Sequence, residues 1–256
     1  MMYKIDELTL LSGIDIAIPE LSLSIHPPTL REISYVGESQ FFQGAQLLIY
    51  SVEDFIKKSR EGISEEDRIA ISTLSNFELL MKMSEADPMI KPNMLILLTL
   101  LFPNHMIDVE ERFIMLRTTG EKPHTTLINA QNFSVLQEVV KVILCLQSGD
   151  KKEDFNPKGD LAREIAEKIK KGREKVAALK GETEKEQASF LSKYISSLAI
   201  GTKTNTLKDL FDLTLFQFYN QLERFSLYEQ YTMGIKSALA GASNVEHVDW
   251  MQNIEK

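Results

Sequence analysis

Apolar positions near the C-terminal end follow a helical rhythm. Leu207, Leu210, Phe211, Leu215, Phe218, Leu222 and Phe225 recur mainly at spacings of three and four residues, the period of a single helix face. Two local signals divide the stretch. Thr206 stands three residues before Asp209, and Thr214 three before Gln217. Each pair has the spacing of a capping box, in which a hydroxyl and a carboxylate or amide satisfy backbone N–H groups at a helix start. Two helices meeting near Leu213 are expected. Beyond Gly241 the tail carries Val245, Val248, the single tryptophan Trp250, Met251 and Ile254. A terminus this apolar is expected to dock, on its own fold or on a neighbour.

Earlier in the chain the period changes. Leu21, Leu23 and Ile25 alternate with Ser22, Ser24 and His26, as a half-buried strand requires. Pro27-Pro28 ends it, and Thr29 caps a short helix carrying Leu30, Ile33 and Val36 as far as Gly37. A helix is expected from Ser39 to about Ser59, with Phe41, Phe42, Ala45, Leu48 and Ile49 inward. Ser64 opens another, running to Ala86 and stopped by Asp87-Pro88. The apolar run Met94–Phe102 between Pro92 and Pro103 reads as a buried helix or strand. Asp108–Leu116 alternates like a strand, with Val109, Glu111, Phe113 and Met115 opposing Glu110, Arg112 and Ile114. Gly120–His124 is a turn, and Thr125–Ile128 pairs back as a hairpin. Asn132 then caps a helix reaching Leu146.

From Ser148 to Gly159 the chain turns polar, which marks the expected boundary between an α+β domain over 1–150 and a helical domain over 151–256. Helices are predicted at 160–180 and 187–199. The fold class is α+β and predominantly helical, with a small antiparallel β element in the N-terminal part and a helical bundle at the C-terminal end.

Composition narrows the function. The 256 residues are 43% hydrophobic and carry a formal net charge of −8. A folded chain with an acidic average surface repels nucleic acid and anionic membranes. Lys4, Asp6 and Glu7 interrupt the N-terminus before a secretory signal forms. The longest apolar run falls far below the ~20 residues a membrane helix needs. Neither a signal peptide nor a transmembrane segment is therefore expected. Cys145, the single cysteine, lies in the apolar segment Val139–Leu146 and reads as a small core hydrophobe.

Chemistry is sparse. His26, His105, His124 and His247 are far apart and lack metal-site spacing. Phosphate-cradling loops and a nucleophile elbow are missing. The residues predict no catalytic, cofactor-binding or metal-ligating set. An enzyme would need His105 or His124 to converge with Glu111 or Arg112. From Arg163 to Lys180, seven bases face three acids. Lys170, Lys171 and Arg173 could therefore contact an anionic partner, and a nucleic-acid-binding accessory protein using helix 163–180 is the alternative reading. Glu164–Lys168 and Glu167–Lys171 instead fit a solvated helix face, and aromatics for single-strand stacking are lacking there.

Three segments resemble tailed-bacteriophage morphogenesis proteins of the tail-assembly or baseplate type. They are Ile25–Ile33 with Val36-Gly37-Glu38, Asp154–Pro157 with Ala162–Lys168, and Leu215–Tyr219 through Gly241-Ala242 to Trp250–Ile254. The resemblance implies a non-enzymatic structural component or assembly factor, in the virion or the cytoplasm of the infected bacterium. Its partners would be other tail or baseplate proteins, or a second copy of the chain. The residues expected to meet a partner are Phe211, Phe218, Phe225, Tyr228, Tyr231 and Trp250.

Overall fold

A computed structural model describes residues 5–59, 64–120, 123–146, 190–202, 204–242, 245 and 248–252. The protein is α+β and predominantly helical. The first elements are helix α1 (Glu7–Ser12), strand β1 (Ile16–Ile18), a 3-10 turn (Pro19–Leu21) and strand β2 (Leu23–Ile25). β1 and β2 form an antiparallel hairpin in which Ile16 faces Ile25 and Ile18 faces Leu23. Leu21, Leu23 and Ile25 are all buried, as the alternation requires, although Leu21 belongs to the turn rather than a strand.

Helix α2 (Leu30–Val36) starts at Thr29 through a full capping box with Glu32. The expected helix over 39–59 is two helices, α3 (Glu38–Ile49) and α4 (Val52–Lys58). A tertiary contact accompanies the break. Gln137, nearly fully buried, donates Nε2 to Leu48 O at 2.8 Å and to Tyr50 O at 3.2 Å. Its Oε1 accepts from Asn76 Nδ2, and Asn76 Oδ1 accepts from Val52 N. Carbonyls at the end of α3 are thus satisfied from another element, and Ser51 with Asp54 caps the new helix start. The expected helix over 64–86 likewise divides, into α5 (Glu65–Ser72) and α6 (Asn76–Ala86), where Ser75 and Glu78 form a capping box.

The apolar run is helix α7 (Ile90–Leu101), with Pro92 in its first turn, where no intrahelical N–H bond is lost. The segment 108–116 is not one strand. Residues 110–113 turn between β3 (His105–Val109) and β4 (Ile114–Thr118), and β5 (Thr125–Ile128) pairs with β4 as the expected hairpin. The inward residues are Ile114 and Leu116 rather than Met115, because the turn resets the register. Helix α8 (Phe133–Ile143) follows. Asn132 holds the cap position, but its side chain turns back: Oδ1 accepts from Asn129 N and Nδ2 donates to Leu127 O. The helix ends before Leu146 because Cys145 adopts φ +53°, with Leu146 N bonding Lys141 O and Cys145 N bonding Val142 O. This is the Schellman arrangement with cysteine in the left-handed position. Cys145 is half-buried and packs at the edge of the core.

After the segment 147–189 come α9 (Phe190–Thr202), α10 (Leu207–Phe211) and α11 (Leu215–Leu239). Both expected capping boxes are present, and the helices part at Leu213. These helices share one buried cluster with the N-terminal elements: Leu191, Ile195, Leu198, Leu210, Leu215 and Phe218 join Phe41, Leu97, Phe102 and Leu136. Polar contacts follow the same seam. Glu38 Oε1 accepts from Leu191 N at the start of α9 (3.0 Å), and Leu30 N donates to Leu213 O (2.8 Å). Arg31 donates Nε and Nη2 to Asp212 Oδ1 (2.9 and 2.7 Å), with its guanidinium 5.9 Å from the Phe211 ring. Among the described residues, no helix is long and apolar enough to cross a membrane.

Candidate functional site: the distal half of the last helix and the returning tail

The 25 residues of α11 make a rod of about 37 Å. Its buried residues, Leu215, Phe216, Phe218 and Asn220, all lie in the first two turns. Leu222 and Phe225 pack on the rim of the core. Farther along no residue is fully buried: Leu227 and Ile235 are half-buried, while Tyr228 is 48% exposed, Tyr231 36%, Met233 61% and Leu239 83%. Near residue 225 the helix leaves the body that folds it. Between Ser226 and Ala240 the only ionisable acid or base side chains are Glu229 and Lys236, so this half is close to neutral in an acidic protein.

Gly241, at φ +88°, reverses the chain after α11, a backbone region that glycine enters without the Cβ penalty. The tail then runs back along the helix. Trp250 meets Tyr228 edge-on, with ring centroids 5.7 Å apart and planes at 80°. Arg224 Nη1 donates to Trp250 O at 3.0 Å and to Gln252 O at 2.6 Å. The tail therefore docks on its own subunit, yet Trp250 stays 37% and Met251 71% exposed. The apolar surface made by Tyr228 and Trp250 is thus only partly covered.

The six residues expected to meet a partner therefore divide. Phe218 is fully enclosed in the core, while Phe211 and Phe225 are spent largely on internal packing. Tyr228, Tyr231 and Trp250 lie at the surface, and the structure brings Tyr228 and Trp250 together. Leu207, which opens the sequence ridge, is 51% exposed. Arg224 was not legible as a site residue, since its bonds run to backbone carbonyls that no pattern predicts. Lys170, Lys171 and Arg173 lie outside the described residues.

The convergence an enzyme would need is only half met. His105 and His124 flank Thr118 at one end of the β3–β4–β5 sheet, whereas Glu111 and Arg112 sit in the β3–β4 turn at the other end. Among the described residues no group of three histidine, cysteine, aspartate or glutamate side chains is placed to hold a metal ion. A groove of about 1260 Å³ runs beside α3, α4 and α7 and is lined by Gln46, Tyr50, Asp54, Asn93 and Lys141. Its lining also includes Ser51, whose hydroxyl donates to Asp54 Oδ2 at 2.6 Å as part of the α4 cap.

The fold is that of a predominantly helical α+β protein whose last helix carries exposed aromatic residues. Residues 183–255, the span of α9, α10, α11 and the tail, match the family model of the YomV second domain, a phage-associated domain. No curated protein and no solved structure matches the chain.

Proposed function

We propose that the protein is a non-enzymatic phage tail or baseplate morphogenesis protein that binds another tail component through distal α11 and the returning tail. The observation that carries this reading is the near-neutral, aromatic half of α11 standing clear of the core, with Trp250 laid across Tyr228. The similarity of the same residues to a phage-associated domain supports the setting. Aromatic side chains at a partly desolvated centre are what interfaces use as anchors. The docked tail pre-orders part of the surface, which lowers the entropy cost of association.

The mechanism is shielding: the ridge covers an apolar face of a tail component, during assembly or in the finished particle. Replacing Tyr228, Tyr231 and Trp250 together by alanine tests it against purified tail-tube and baseplate components. The expected outcome is loss of at least tenfold in affinity with unchanged circular dichroism. Undiminished binding by the folded triple variant rejects the proposed surface.

A further inference from the structure

We propose that the end row of the β3–β4–β5 sheet binds a late first-row divalent cation, Zn²⁺ or Ni²⁺, through the imidazoles of His105 and His124. The argument starts from register. His105 faces Thr118 across β3 and β4, while Arg117 faces Thr125 across β4 and β5. The ladder continues one residue further, with Thr118 N donating to His124 O at 2.9 Å. Residues directly opposite on neighbouring strands share a face, so His105, Thr118 and His124 form one row. The next rows on that face are Ile107, Leu116 and Thr126, then Val109, Ile114 and Ile128. Those rows are apolar apart from Thr126, and the end row carries two imidazoles.

The β1–β2 hairpin covers this face, held by Thr126 Oγ1 donating to Leu21 O at 3.3 Å. Between the hairpin and the row lies a cavity of about 450 Å³, lined by both histidines, Thr118, Ser22, Ser24 and Pro19 among others. His105 Nδ1 is shielded from solvent and has no hydrogen-bond partner among the described residues. Buried polar atoms normally have partners, so in this ring orientation the nitrogen is left unsatisfied. The His105 ring meets Phe102 edge-on, with centroids 5.7 Å apart, and a turn about its Cβ–Cγ bond would present Nδ1 to the cavity. Burial, followed by the neighbouring His124 imidazole, holds His105 below the ordinary histidine range. A metal binds the neutral form of an imidazole.

The spacing suits one ion. Two strand separations place the histidine backbones about 10 Å apart, a span two imidazoles can close on a metal about 2 Å from each nitrogen. Nitrogen donors without a carboxylate in the lining select zinc, nickel or copper over magnesium and calcium. Water and the hydroxyls of Ser22 or Ser24 would fill the remaining positions. With two protein ligands the ion exchanges readily and does not hold the fold together.

Titrating the untagged full chain with zinc or nickel chloride, by calorimetry and by the ¹⁵N shifts of labelled histidine rings, tests the site. The expected result is saturable one-to-one binding that shifts both rings and is absent with magnesium. Affinity should fall at least tenfold in His124→Ala, whose exposed side chain makes it a safe substitution for folding, and in His105→Gln. If His105→Gln does not fold, His124→Ala and the ring shifts decide. No saturable binding, or binding that survives loss of either histidine undiminished, overturns the site.

Discussion

At the scale of single residues, His26 sits between two carboxylates. Its Nδ1 lies 2.8 Å from Asp15 Oδ1 and its Nε2 3.3 Å from Glu32 Oε2. Burial alone would depress its pKa, but the hydrogen bonds and charges of the two carboxylates outweigh burial and raise it above 6.5. For Glu32, burial opposes ionisation, yet the hydrogen bonds from Thr29 and the contact with His26 prevail and lower it below 4.5. The signs are opposite. A raised histidine stabilises fully below 6.5 and loses that contribution as pH climbs through its folded value. A depressed carboxylate stabilises above 4.5 and loses its contribution as pH falls through its folded value. The cluster is strongest between 4.5 and 6.5. Asp15 is 57% exposed, so screening limits the effect to about 0.5–1 kcal/mol. His26→Gln should therefore destabilise measurably at pH 6 and much less at pH 9, read from denaturant melts at the two values. An equal loss at both would remove ionisation from the account.

At the scale of elements, two glycines distinguish rigid from yielding contacts. A Cβ on Gly44 of α3 would lie 2.6 Å from Asn93 O of α7, a backbone atom that moves only with its helix. A Cβ on Gly201 of α9 would lie 2.4 Å from Phe225 Cζ, the tip of a ring on the rim of the core. Gly44→Ala should cost about 2–3 kcal/mol by forcing α3 from α7. Gly201→Ala should cost only about 1 kcal/mol, because the ring swings aside and alanine favours the helix. Chemical denaturation ranks the two, and the reverse order would refute the packing described. The tail is the other element-scale case. Ending the chain at Ala240 removes the Arg224 bonds and the Trp250–Tyr228 contact. It should lower stability by no more than about 1–2 kcal/mol while sharply weakening partner binding.

At the scale of the whole molecule, α10 is the keystone between the two parts of the chain. Leu210 is fully buried in the shared cluster, and Arg31, Asp212 and Leu30 tie α2 to the α10–α11 corner. Calorimetry should show one unfolding transition, with Leu210→Ala lowering it by about 2–5 kcal/mol. Two separated transitions, only one of them moved by the substitution, would divide the molecule into independent domains. Arg31→Ala should cost less, about 0.5–1 kcal/mol, because both ends of its ion pair are largely exposed.

Signals confined to a few residues were legible in the sequence. The caps at Thr29, Ser64, Thr206 and Thr214 follow from a hydroxyl and its local backbone, and the structure shows side-chain hydrogen bonds at each. Apolar periodicity located the helices but ran through the breaks at Ser51 and Ser75. At Ser51 the break accompanies Gln137, which reaches carbonyls 87 and 89 residues away in the chain. The ridge from Leu210 to Phe225 was visible as a pattern, but the pattern is the same for a face that packs inward and one that meets a partner. Tertiary structure separated buried from exposed positions, enclosing Phe218 and leaving Tyr228, Tyr231 and Trp250 at the surface. It also set His105 and His124, 19 positions apart in the sequence, on one row of a sheet, since strand register depends on turns and long-range packing rather than on sequence spacing.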